Sequence, residues 1–340
     1  MKRGSRLCSL VLDGLFFLLL SVLFFVPCKA RAAWSALAET KVLYTDNAFE
    51  QSSARRMTVS EDPSQPSSVS VKKPSDVIWE PSLDVRHTST PTTLGATEVS
   101  FKAQGVLFTD NPILNHGNYR IQVKQVLDSA TSLLLRYRYV PNLFLGSNSE
   151  RRTGQRLEGE ERVTSHIWRV QLERRLTEFV TATLVGRYGF RQFNESFAER
   201  DTLFWTSGLQ LEWAVNSWVG LTTAYLYEQG FADGRQEVQF KDDVSYRQHF
   251  TSVGATAWVS PALSVTLGYG YRRKIFTSEI VGDSNRGVAD TTHQGSVELR
   301  YEVSQTAAIT LGVQRIQRAS NVDARDFFNT NTSLGVQYRF

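Results

Sequence analysis

An all-β chain closed into an antiparallel transmembrane β-barrel of about fourteen strands is the fold class this sequence predicts, with about twelve or sixteen strands as alternatives. Three observations predict it. From residue 94 onward, segments alternate apolar and polar side chains with the period of two that a strand requires. The connections between these segments switch regularly between tight turns and long polar loops. After the first 32 residues, no apolar run approaches the roughly 18 residues of a spanning helix. A membrane could then be crossed only by a closed sheet, because lipid offers no partner to an unpaired backbone group.

Residues 1–32 have the form of a secretory signal peptide: basic Lys2, Arg3 and Arg6, an apolar run from Leu15 to Val26, and Ala30-Arg31-Ala32 as a small-x-small cleavage site. Cleavage after Ala32 is expected, leaving 33–340 as the barrel. A retained anchor is the competing reading of the apolar run, which Asp13 and Gly14 interrupt, and Val26-Pro27 before Cys28 match a lipobox poorly. The first 32 residues hold five of the 38 basic residues and one of the 34 acidic ones, so the mature chain has 33 of each and a formal net charge of zero. The basic bias of the full sequence therefore belongs to the leader, and no nucleic-acid partner is implied. Cys8 and Cys28 leave with it, which removes any disulfide framework or thiolate metal site.

Each strand has an apolar and a polar edge. Leu133, Leu135, Tyr137 and Tyr139 oppose Leu134, Arg136 and Arg138, and Val180, Ala182, Leu184, Tyr188 and Phe190 oppose Thr181, Thr183, Arg187 and Arg191. Leu263, Val265, Leu267, Tyr269 and Tyr271 oppose Ser264, Thr266 and Arg272, while Val297, Leu299, Tyr301 and Val303 oppose Glu298, Arg300 and Glu302. Any one of these would fit a soluble sandwich. The connections decide against it. Tight turns at Asp128-Ser129, Leu176-Thr177-Glu178, Val215-Asn216-Ser217, Ser260-Pro261 and Ser304-Gln305 recur every 39 to 49 residues, and polar stretches at 145–162, 194–201, 231–243 and 281–287 lie between them. Short turns at one rim and long loops at the other are the asymmetry of a transmembrane barrel. Aromatic side chains follow the same division: Trp213, Trp258, Tyr338 and Phe340 lie by the short-turn rim or the chain end, and Tyr188, Phe190, Trp205, Tyr225, Tyr227, Tyr269 and Tyr271 lie 8 to 13 residues away. At ~3.3 Å per residue and a tilt near 40°, those two belts are about 25 Å apart, the spacing of two lipid–water interfaces.

Thirteen strands are predicted near 76–88, 95–109, 117–127, 130–144, 163–176, 179–192, 202–215, 218–230, 244–259, 262–275, 288–303, 305–317 and 326–340. An even number is the rule, and 39–47 is the candidate for the fourteenth. An internal echo supports it, since Leu43-Tyr44-Thr45-Asp46-Asn47 and Leu107-Phe108-Thr109-Asp110-Asn111 repeat one phrase whose Asp and Asn favour side-chain-assisted turns. Residues 48–75, with eight Ser and three Pro, are expected to form a mobile outer loop, or else a periplasmic tail ahead of an irregular first strand.

The last strand places Leu334, Val336, Tyr338 and Phe340 at alternate positions and ends on an aromatic ring. This resembles the terminal strand of bacterial outer-membrane β-barrel proteins. The resemblance implies the cell outer membrane as location, outer-membrane lipid as surroundings, and these four residues as the signal read by the barrel-assembly machinery, with periplasmic chaperones as further partners. Tyr44-Thr45-Asp46-Asn47-Ala48-Phe49 is also similar to the Y-x-D-N-x-F start of a porin-like β-barrel family, some of whose members are linked to exopolysaccharide export.

Catalytic chemistry is weakly indicated. Among His87, His116, His166, His249 and His293, only His87-Thr88-Ser89 puts a histidine and a serine on one strand face, and no third partner stands at a useful spacing. No enzyme, cofactor or metal site is expected. The predicted inward face instead gathers ten basic residues, Lys102, Arg120, Lys124, Arg136, Arg138, Arg169, Arg187, Arg191, Arg272 and Arg300, against Glu98, Glu173, Glu212 and Glu298. About fourteen strands leave more bore than side chains fill. The reading this favours is a porin-like channel for passive diffusion or export of small or anionic solutes, with the resemblance adding a polysaccharide association. A non-transporting scaffold or adhesion barrel acting through its loops is the alternative, and an outer-membrane lipid hydrolase a third.

Overall fold

The computed structural model describes residues 33–48, 75–89, 95–154, 157–322 and 325–340. The signal-peptide reading and nearly all of the 48–75 loop lie outside the described residues. The strands are β1 (Ala33–Thr45), β2 (Asp76–Thr88), β3 (Thr97–Phe108), β4 (His116–Val126), β5 (Thr131–Ser149), β6 (Glu158–Arg175), β7 (Val180–Phe193), β8 (Thr202–Asn216), β9 (Val219–Ala232), β10 (Tyr246–Ser260), β11 (Leu263–Phe276), β12 (Ala289–Glu302), β13 (Ala307–Ser320) and β14 (Phe327–Arg339). Each pairs antiparallel with its sequence neighbours, and β1 closes on β14, giving a barrel of fourteen strands. No helix among the described residues is long and apolar enough to cross a membrane. Closure leaves no unpaired edge, which is what a spanning sheet needs.

At the short-turn rim, five hairpins are built the same way, each by one polar side chain. Asp128 Oδ1 accepts from the Ala130 amide at 2.7 Å, Asn216 Oδ1 from Trp218 at 2.8 Å, and Thr177 Oγ1 from Val180 at 3.0 Å. Ser260 Oγ accepts from Leu263 at 3.1 Å and Ser304 Oγ from Ala307 at 3.0 Å. Short polar residues that mimic a backbone turn are why the chain reverses here.

Two of the expected boundaries are corrected. The first strand begins at Ala33 rather than residue 39, so 33–45 is strand and not a tail. Its register with β14 runs from Leu37 opposite Arg339 to Thr45 opposite Asn331. The polar stretch 145–162 is mostly not loop: β5 continues to Ser149 and β6 starts at Glu158, with register shifts at Val140/Leu143 and Phe144/Gly146. Pro141 and Asn142, whose φ is 48°, bend the strand there, and the hairpin goes on beyond the apolar band with solvated charges. The connections at 194–201, 231–243 and 281–287 contain turns and short 3-10 segments.

One sheet face is apolar and exposed. Leu184, Leu209, Val253, Leu267, Val297, Leu311 and Leu334 all point outward at 41–58% exposure, a pattern no soluble core would leave uncovered. The register puts Leu133, Leu184, Leu267 and Leu299 on this outward face. The rings of Tyr188, Phe190, Trp205, Tyr225, Tyr227, Tyr269 and Tyr271 share it, as does Trp213. Trp258 departs from expectation: it pairs with Ser264 on the inner face at the short-turn rim, where its ring lies over Gly220.

The bore is not uniform. On β8 the inner residues Thr202, Phe204 and Thr206 are buried, whereas Glu212 and Asn216 near the short-turn rim are exposed. β9 repeats this, with Ala224, Leu226 and Glu228 buried and Thr222 exposed, and β10 buries Tyr246, Gln248 and Phe250 but not Trp258. Large rings fit inside because glycines face them. Phe204 sits opposite Gly189 and Tyr246 opposite Gly230, and a Cβ at either glycine would come within 2.2 Å and 2.4 Å of those rings. Along β8–β10 the interior is therefore open at the short-turn end and packed toward the long-loop end.

Candidate functional site: the inner wall

Strand register alone brings the basic side chains together. Lys102 stands opposite Arg120, Arg120 opposite Arg138, Arg136 opposite Arg169, and Arg169 opposite Arg187, so one row of arginines crosses β5, β6 and β7 and a second crosses β4 and β5. Lys124, Glu173 and Arg191 lie on the same face of these strands, and Glu212, Arg272, Glu298 and Arg300 on the same face of β8, β11 and β12. Glu98 stands opposite Lys124, so all fourteen expected wall residues share the inner face, but they do not form one cluster.

Most have identifiable partners. Arg120 pairs with Asp84 at 2.8 Å, Lys124 with Glu173 at 3.2 Å, and Lys102 with Glu39 at 3.7 Å. Arg136 donates to Gln122 Oε1 and Arg138 to Asn118 Oδ1, each at 2.9 Å. Arg300 reaches Glu302 at 2.8 Å and Gln337 at 2.6 Å. Arg191 is buried, with its guanidinium 4.0 Å from the Phe204 ring centroid, 2.9 Å from the Tyr246 hydroxyl and 3.9 Å from Glu228. Arg272 donates to Thr292 Oγ1 at 3.3 Å.

The expected ratio of ten basic to four acidic residues needs correction. Glu39, Glu80, Asp84, Glu228, Asp290 and Glu302 also lie on the inner face. Glu302 already stood on the polar side of its strand in the sequence; the others are obscured because β1 and β2 alternate weakly around Pro81, and because Glu228 and Asp290 sit toward strand ends. Lys41, Arg86, Arg175, Lys274, Arg318 and Arg339 share that face too, so the wall is mixed rather than uniformly basic. β4–β7 carry the arginine rows, and the carboxylates concentrate on β12 and on β1–β3, of which β3 adjoins β4. Beside the basic wall lies a cavity of about 350 Å³ lined by Arg136, Arg169, Gln171, Gln210, Thr222 and Ser252.

Toward the long-loop rim a cap lies against the packed interior. Arg200 binds Glu161 and Asp242, both at 2.7 Å, while Arg152 pairs with Glu237 at 3.3 Å and with buried Glu199 at 3.6 Å. Arg151 donates to the Lys241 carbonyl and, at 3.4 Å, to Ser284 Oγ, joining the connections after β5, β9 and β11. Burial opposes the Arg200 charge, but Glu161 and Asp242 outweigh it and raise its pKa above the usual value. Burial also raises the carboxyls of Glu199 and Asp233, and pushes Asp201 up to about 7 even though Asp201 accepts the Phe193 amide at 2.7 Å. Nothing in the sequence pattern had singled out this cap, because its partners are far apart along the chain.

The histidines are spread over the barrel. His87 packs on Trp34 at the short-turn rim with ring centroids 4.6 Å apart, and His116 Nδ1 lies 2.8 Å from the Leu114 carbonyl. His166, His249 and His293 face outward, each 2.7 Å from the hydroxyl of Tyr137, Tyr225 and Tyr269 respectively. No group of three metal-ligating side chains stands together among the described residues.

No family model matches the chain, and no curated protein does. Among solved structures, the chain is similar to the outer membrane channel DcaP of Acinetobacter baumannii, with a TM-score of 0.54 and 11% identity over 92% of this chain and 97% of that one. It is also similar to a loop-deletion form of OmpT, an outer membrane protein of Vibrio cholerae, with a TM-score of 0.50 and 8% identity over 92% of this chain and 99% of that one. At such identities the likeness is one of fold. The chain is a closed fourteen-stranded antiparallel barrel with the porin-like architecture of outer-membrane barrels.

Proposed function

We propose that this barrel is a porin-like channel of the cell outer membrane that passes small solutes and favours anions. The observation that carries the reading is the pair of arginine rows on β4–β7 beside a polar cavity of about 350 Å³. Like charges held in register repel, and water or passing anions relieve that repulsion. The carboxylates interspersed on the rest of the wall leave an uneven field in the bore, which sorts solutes by sign. The short-turn end is the wide mouth, and the packed half is where selection occurs.

A second reading has its own support. The buried cap around Arg200 and the packed rings of Phe204, Tyr246 and Phe250 would suit a sealed barrel that serves as an envelope scaffold. Planar-bilayer recording separates the two. A channel gives conductance steps with an anion-shifted reversal potential in asymmetric salt, and that shift shrinks when Arg136 and Arg138 become glutamine. Absence of steps from folded, inserted protein would favour the scaffold.

A further inference from the structure

The outward face of β9–β14 carries three arginines, Arg247, Arg273 and Arg315, and no carboxylate among its described strand residues. The nearest acids along the chain are Asp243, four residues before Arg247, and Glu279, six residues after Arg273, both in connections beyond the strands. All three arginines are exposed, and Arg315 lies over the Phe328 ring at 5.9 Å. Arg273 stands directly opposite His249, and Arg247 is the diagonal neighbour of Arg273, since it pairs with Ile275. Such diagonal positions are roughly 7–8 Å apart at most, close enough for two guanidinium groups to hold one anionic headgroup.

Their height follows from the register. Residues rise ~3.3 Å along a strand and strands lie ~4.8 Å apart, so one residue toward the short-turn rim per strand crossed keeps a constant level in a barrel tilted by about 35–40°. From His249 the row runs through Arg273 to Thr291, and His293 is two residues lower after two strands, which is the same level. All three arginines lie within two residues of it. Leu267, in the apolar band, is six residues below Arg273 on β11, a vertical separation of about 15 Å. The arginines are thus at a lipid–water interface. Tyr225 and Tyr269 hold Nδ1 of His249 and His293, leaving Nε2 as the remaining polar ring atom at that level.

We propose that this face binds a membrane lipid of the long-loop leaflet whose headgroup carries more than one phosphate. Three guanidinium groups without a facing carboxylate exceed what a zwitterionic headgroup offsets, because its single phosphate brings its own ammonium. A multiply phosphorylated glycolipid supplies the missing negative charge and acyl chains for the apolar band below. The inference rests on the membrane-spanning fold and not on conduction, so conductance and lipid binding can fail separately.

The test is native mass spectrometry of the folded full-length barrel in detergent, titrated with a diphosphorylated acyl-glucosamine disaccharide and with its dephosphorylated form. Wild type should retain the phosphorylated lipid, and R247Q/R273Q should bind it about tenfold more weakly, as loss of charge-assisted contacts implies. Arg162→Gln, outward on β6 and already paired with Glu160 at 3.0 Å, should change binding little. If the double variant does not fold, Arg315→Gln carries the same comparison. Equal binding of the dephosphorylated lipid, or unchanged binding by the folded variants, would overturn the proposal. So would full displacement by millimolar inorganic phosphate, which would assign the site to a free anion.

Discussion

Asp76 shows how much one side chain can organise. Its carboxylate accepts from the amides of Thr109, Asp110 and Asn111 at 3.1, 2.9 and 2.9 Å, and from Asn111 Nδ2 at 2.7 Å. The repeated Thr-Asp-Asn phrase marked this rim in the sequence, and its two copies end β1 and β3 on either side of β2. The acceptor itself, 33 residues upstream, carried no local signal. Asp76→Ala leaves those donors unmet and should destabilise the barrel by about 1–3 kcal/mol in urea unfolding from vesicles. Facing gives a sharper contrast at Leu267, which is 51% exposed on the apolar band, next to inner-face Thr266. Leu267→Arg should cost about 2–4 kcal/mol by the same measurement, and Thr266→Arg far less. Equal losses would mean that the outward face does not meet lipid.

Among the elements, the short turns were legible because each is specified within four residues by its own Asp, Asn, Ser or Thr. The β5–β6 hairpin was not, since its upper part pairs charged residues above the apolar band, and charge in a sequence reads as loop. The cap was legible least, being held by contacts such as Arg200 with Asp242, 42 residues apart. Its pH behaviour follows from Asp201. Burial raises this carboxyl from 3.8 to about 7, with Asp233 and Glu199 adding to the rise and Arg152 opposing it. Between those values the folded cap holds a proton that a released loop would give up, so the cap is favoured on the acid side and loosens as pH rises through about 7. Hydrogen exchange of the 194–201 amides should therefore speed up beyond the intrinsic rate as pH rises from about 4 to about 7, and follow the intrinsic rate above that. Asp201→Asn keeps the acceptor for Phe193 and should flatten that dependence; an unchanged profile would put the titrating group elsewhere.

At the scale of the whole molecule, alternation told which side chains share a face, but not where the sheet closes or how full its interior is. The carboxylates missed on β1, β2 and β9 turned an apparent basic lining into a mixed wall whose arginine rows are concentrated on β4–β7. Packing of Phe204 against Gly189 and Tyr246 against Gly230 depends on register between strands, which no single segment reveals. Closure has a definite seam. β14 pairs with β1 through Val336 opposite Thr40 and Tyr338 opposite Ala38, and the Phe340 amide donates to the Ala36 carbonyl at 2.9 Å. Leu334, Val336 and Tyr338 are about half exposed on the outward face, and the Tyr338 and Phe340 rings meet edge to face at 4.8 Å. In the finished barrel, Phe340 adds two backbone bonds with Ala36, at 2.9 and 3.4 Å, and one exposed ring, so its removal should lower equilibrium stability by only about 1–2 kcal/mol. Before closure, the same alternate side chains are the proposed grip for an assembly machine on the last strand. Deleting Phe340 is therefore expected to reduce the heat-modifiable, membrane-inserted protein in cells several-fold, while refolding of the purified variant into detergent stays close to wild type. Parallel losses in both assays would show that the residue matters for the seam itself; normal levels in cells would remove the assembly role.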